Sequence, residues 1–189
     1  MTNCAYDTMW CIIVRWYVDS NETPIAVSAQ LQSLNAANSG VKDLQQHLAA
    51  ILQTSNAPEI DETTRQSAGL LLKNNLRDGN TYTAIDVAGL EYIKATLLAC
   101  MRLQSPTLRR TAASCTAALV SVMGISTWRA LVDTLRTRIE QEGDETALDT
   151  LHEILEESKM LEMKGSRPET LWCAAAAVVV VVVVAVLCD

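Results

Sequence analysis

Residues 61–78, DETTRQSAGLLLKNNLRD, decide how the rest of the chain is read. Asp61 is a helix-capping residue type, and Glu62 behind it suits the positive end of a helix dipole. Arg65 follows, then the small residues Ser67, Ala68 and Gly69, then the apolar block Leu70, Leu71, Leu72 and Leu76. The exit is polar, through Lys73, Asn74, Asn75, Arg77 and Asp78. Small side chains midway along a helix let a second backbone come close. The stretch therefore predicts a helix held between neighbours on both sides.

Its opening returns 44 residues later, where residues 62–68 align with residues 106–112. Thr63/Thr107, Arg65/Arg109 and Ala68/Ala112 are identical, and Ser67/Thr111 is conservative. A period of about 40–47 residues is that of HEAT and armadillo repeats, whose helix pairs stack to bury one another's apolar faces. A weaker copy lies upstream, where Glu22-Thr23-Pro24-Ile25 precedes Ser28, and it lacks the arginine. Equivalent places in successive repeats predict that Arg65 and Arg109 form a ladder from one repeat to the next.

Helical punctuation continues on either side. Thr23-Pro24 opens a helix carrying Val27, Leu31 and Leu34, which Asn38-Ser39-Gly40 ends. Val41, Leu44, Leu48, Ile51 and Leu52 line one face of the next. The helix of residues 61–78 then stops at Asp78-Gly79-Asn80. Leu90, Ile93, Leu97, Leu98 and Met101 line another face. Ser105-Pro106 is a second cap-plus-proline start, and the helix it opens is rich in alanine and closes before Gly124. Leu131, Val132, Leu135 and Ile139 mark a helix stopped at Gly143, and Leu148, Leu151, Ile154, Leu155 and Leu161 mark the last. Seven helices with short links, alternating between small-residue and large-aliphatic faces, predict an all-α α-solenoid of about three and a half helix pairs. A compact helical bundle shares this periodicity and stands as the alternative.

Both ends differ in character. Residues 1–20 form an atypical N-terminal segment: Trp10, Ile12, Ile13, Val14, Trp16 and Tyr17 favour a strand, but nothing else offers it a partner. Arg15 interrupts that apolar run and no small-residue cleavage site follows, so it does not read as a signal peptide. Residues 164–189 are a breaker-rich linker and an Ala/Val-rich tail. The apolar run 171–188 reaches the length of a membrane span and is preceded by Lys164 and Arg167. Its homopolymeric make-up suits low-complexity sequence instead. A tail-anchored helical membrane adaptor is therefore one functional alternative, and a generic HEAT-repeat interaction scaffold is another.

Composition narrows the function classes. A net charge of −7 argues against nucleic acid and permits a basic protein partner. The six cysteines form no CxxC pair and the two histidines stand apart, so no metal site is expected and the thiols read as buried and free. No nucleophile–base–acid arrangement, phosphate-binding loop or HExxH motif occurs, so neither an enzyme nor a bound cofactor is expected. The most distinctive polar feature is residues 143–163, where seven carboxylates stand against Lys159. Glu153, Glu156 and Glu157 share one helix face. That face is either a solvated surface or an acidic patch for a basic protein.

Residues 61–78 resemble the early HEAT repeats of the importin-β superfamily (karyopherin-β), most of all its transportin (karyopherin-β2) subfamily. In that family an arginine, a small pair, an aliphatic run and Leu-Lys-Asn occur in this order on the second helix of a repeat. Arg65, Ala68-Gly69, Leu70-Leu71-Leu72 and Lys73-Asn74-Asn75 match it. Residues 105–109 look like the start of the next repeat's second helix. Trp128 resembles the tryptophan opening the one after, although Arg129 stands where the family has proline.

The resemblance covers residues 21–163. It implies the N-terminal HEAT repeats of a nuclear import receptor that shuttles between cytoplasm and nucleus. It implies binding of the small GTPase Ran in its GTP form, and of import cargo only by later repeats of a longer chain. Lys73, Asn74, Asn75, Arg77 and Asp78 at a helix end, with Glu153, Glu156 and Glu157, are the expected Ran contacts.

Overall fold

The computed structural model describes residues 43–54 and 60–163, the last six of these by their backbone. The elements are α1 (Leu44–Gln53), α2 (Glu62–Arg77), a short α3 (Gly79–Thr83), α4 (Val87–Cys100), α5 (Pro106–Met123), α6 (Arg129–Glu142) and α7 (Glu145–Met163). A single 3₁₀ turn, Ile125–Thr127, joins α5 to α6. No strand occurs among the described residues. Residues 1–20, the helix expected from Pro24, and the tail 164–189 lie outside them.

Local chemistry sets the helix starts. The Asp61 carboxylate accepts from the Thr64 amide at 3.0 Å, and Asp86 accepts from the Gly89 amide at 2.6 Å. Ser105 accepts from the Leu108 amide at 3.3 Å, with Pro106 in the first turn, where its missing N–H costs nothing. Gly143, at φ 61°, turns α6 into α7 in a left-handed conformation that favours glycine.

The helices pair in chain order: α1 with α2, α4 with α5, α6 with α7. The second helices of these pairs form one layer, with α5 packed against α2 on one side and α7 on the other. In the opposite layer α1 adjoins α4. Successive pairs therefore stack in sequence, as an α-solenoid does and a bundle around one common core does not.

The middle of α5 shows why its sequence is so small. From Thr111 to Val120 only Ser114 escapes full burial, since the run is covered on nearly all sides. Alanines at 112, 113, 117 and 118 let three backbones approach. Large aliphatics fill the space between pairs: Leu48, Ile51 and Leu52 from α1, Leu72 and Leu76 from α2, Ile93 and Leu97 from α4, Leu131 and Leu135 from α6.

Gly69 is where α2 comes closest to its neighbours. A Cβ there would stand 2.5 Å from Thr111 Cγ2 and 3.2 Å from Leu52 Cδ1. The Cys115 thiol reaches the Gly69 carbonyl at 3.1 Å across the same interface. Burial pushes the Cys115 and Cys100 thiols up to about 12, so both stay protonated and unreactive at neutral pH. The other four cysteines lie outside the described residues.

Two expectations are adjusted. Asp78-Gly79-Asn80 does not simply end the helix; Asp78 accepts from the Thr81 amide at 3.0 Å and so starts α3. Leu70 and Leu148, expected among apolar faces, are 47% and 44% exposed.

Candidate partner-binding face

The repeat seen in the sequence is a repeat of hydrogen bonds. In α2 the Ser67 hydroxyl donates to the Thr63 carbonyl, and in α5 the Thr111 hydroxyl donates to the Thr107 carbonyl, both at 2.9 Å. Arg65 and Arg109 are each the fourth residue of their helix. Arg65 donates through Nε and Nη2 to the Leu52 carbonyl, at 3.3 and 3.1 Å. Arg109 donates through Nη1 to the carbonyls of Leu103 and Gln104, at 2.8 and 2.9 Å.

Arg65 thus satisfies a carbonyl in the last turn of α1, at the negative end of its dipole, while Arg109 satisfies two carbonyls of the loop that links α4 to α5. Each arginine therefore acts within its own helix pair, where the sequence suggested a ladder between repeats. Contacts between repeats come from other residues. Ser105 donates to Glu62 Oε1 at 2.6 Å, joining the starts of α5 and α2. Arg138, only 5% exposed, donates to the Met101 carbonyl at 3.2 Å and pairs with Asp144. It fixes the α6–α7 corner to the end of α4. Sequence reading passed over Arg138; its only signal is a charged residue next to Ile139 on an apolar face.

The open side of the α2–α5–α7 layer carries the polar residues. On α2, Leu70, Asn74 and Arg77 are exposed and Lys73 is half-buried, one stripe at helical spacing. On α7, Asp149, His152 and Glu156 are exposed, while Glu153 and Glu157 are half-buried. Two contacts show that the stripes lie on one side. The Ser114 hydroxyl of α5 donates to Glu153 Oε2 at 3.4 Å, and Arg77 Nη2 donates to both carboxylate oxygens of Glu157.

The eight expected contact residues therefore divide. Asn75 is 8% exposed and its amide donates to Gln45 Oε1 at 2.9 Å, holding α2 to α1 inside the first pair. It does not belong to the open face. It shares its stripe with Thr64, Ala68 and Leu72, a spacing the sequence displays. Asp78 is committed to capping α3; hydrogen bonds from the Thr81 hydroxyl and amide hold its carboxyl below the usual range. Arg77 and Glu157 hold each other. Lys73, Asn74, Glu153 and Glu156 face outward, with His152 Nε2 3.9 Å from Glu156.

Among the described residues no group of histidines, cysteines or carboxylates could hold a metal ion, and no helix is long and apolar enough to cross a membrane. The run 171–188, on which the membrane alternative depends, lies outside them.

No protein-family model matches the chain. It is similar to a transportin-1 of Oryza sativa subsp. japonica, 26% identical over 150 residues that make up 78% of this chain and 16% of the relative. It is also similar to an importin subunit beta-2 of Schizosaccharomyces pombe, 27% identical over 175 residues, 86% of this chain and 19% of the relative. The chain spans less than a fifth of the length of these relatives.

Proposed function

We propose that this chain is the partner-binding N-terminal part of a nuclear transport receptor. Its open α2–α5–α7 face would dock the small GTPase Ran in its GTP form. The observation that carries this reading is the 44-residue register, in which capped second helices stack in one layer and present their polar stripes on one side. Similarity to transportin-1 and importin subunit beta-2 over most of the chain supports it.

The chemistry suits a mixed-charge partner. Lys73 and Asn74 on one flank donate to acidic and carbonyl groups, and Asp149, Glu153 and Glu156 on the other attract basic ones. Exposed charges of this kind govern approach more than final affinity. Cargo binding belongs to repeats beyond this length, and the place of action is the cytoplasm and nucleus.

Capture of Ran on the immobilised chain tests the proposal. Retention of Ran loaded with GTP over Ran loaded with GDP is the expected result; equal retention, or none, overturns it. Changing Glu153 and Glu156 together to Gln should slow association several-fold at low salt while the melting temperature stays put. Stopped-flow mixing at two ionic strengths reads this. An unchanged rate places the acidic contact elsewhere.

A further inference from the structure

Helices α2 and α7 are the outer members of the three-helix layer, and each packs on α5. Across α5 they are joined by Arg77 and Glu157, from the first and third helix pairs. The guanidinium donates to both carboxylate oxygens. Glu157 keeps 15% of its side chain exposed and Arg77 keeps 43%, so the pair sits at the rim of the layer, half out of solvent.

The geometry of this bond differs from the others. Asn75 with Gln45, Ser105 with Glu62, Cys115 with Gly69, Ser114 with Glu153 and Arg138 with Met101 each cross one helix–helix interface. The Arg77–Glu157 bond crosses two, α2 with α5 and α5 with α7. Small changes of angle at both interfaces add at its ends, so the bond is sensitive to how the pairs are stacked.

We propose that Arg77 and Glu157 form an electrostatic tie that sets the stacking angle of the helix pairs, and that competing charge releases it. A pair this exposed biases rather than locks: it shifts the balance between tight and splayed stacking by about fivefold at most. Dissolved salt weakens it by screening, and a charged partner on the open face weakens it by claiming either side chain. Release by a partner rests on the binding reading above; the tie itself does not.

The test uses the full chain alone, with spin labels on noncanonical residues at Asn74 and Asp149, both exposed. Pulsed electron paramagnetic resonance reads the distribution of distances between α2 and α7. Arg77→Gln and Glu157→Gln should each lengthen and broaden it. The double exchange Arg77→Glu with Glu157→Arg should restore the narrow distribution, and 1 M salt should move the native chain toward the single variants. Single variants that match the native distribution overturn the proposal, as does a double exchange that stays as broad as the singles. No partner is present, so this result is separate from success or failure of Ran capture.

Discussion

At Gly69 two opposing effects meet in one residue. Glycine inside a helix is about 1 kcal/mol less favourable than alanine, so its presence mid-α2 needs a reason. The reason is Thr111 Cγ2, 2.5 Å from where a Cβ would be. Gly69→Ala should therefore fail to gain the propensity and instead destabilise the chain, since overpacking costs about 1–3 kcal/mol. With Thr111→Ser, which removes the opposing methyl and keeps the hydroxyl, the same change should become neutral or stabilising. Urea unfolding of the four proteins in this cycle measures the coupling, and additive effects would mean the two side chains do not meet. The need for a small residue here was legible in the sequence. Which neighbour demands it was not, because Thr111 lies 42 positions away and only the fold brings it near. Asn75 was more legible than its reading allowed: it follows Ala68 by seven and Leu72 by three, and so belongs to the buried stripe.

Among the elements, the helix ends carry much of the specification. The caps at Asp61 and Ser105 and the equivalence of Arg65 with Arg109 were readable, because capping chemistry is local and the period repeats it. What an arginine side chain reaches for is not local. Arg109→Met keeps the aliphatic stem but leaves the Leu103 and Gln104 carbonyls to water, at an expected loss of about 1 kcal/mol. Amide hydrogen exchange at the end of α4 should quicken while that of α1 stays unchanged; equal effects on both would show a global loss.

The third pair escaped the repeat reading because Leu148 stands fourth in α7, where Arg65 and Arg109 stand in α2 and α5. Its corner is held by Arg138 and Asp144 instead. Burial by itself would raise the Asp144 carboxyl, but the Thr146 amide, at 2.9 Å, and the Arg138 guanidinium outweigh it and hold it below the ordinary range. A depressed folded value means the contribution to stability is complete above the unfolded value of about 3.9 and is lost as pH falls through the folded one. Unfolding free energy should therefore drop as pH falls below about 4, and Asp144→Asn should make that drop shallower. An identical acid limb in the variant would show that Asp144 carries none of it.

At the scale of the described residues as a whole, stacking order does what a single core cannot: among them it leaves one side of the α2–α5–α7 layer open along three helix pairs. The solenoid was readable from period and caps. The make-up of the open face was only partly readable, since the bond between Arg77 and Glu157, 80 positions apart, appears only in the fold. Hydrogen exchange of the full chain, with and without Ran loaded with GTP, tests the account most directly. The account predicts protection along the α2 stripe at residues 70–77 and the α7 stripe at residues 149–157, with α4 and α6 unchanged. Protection confined to α4 and α6, or none at all, would contradict it.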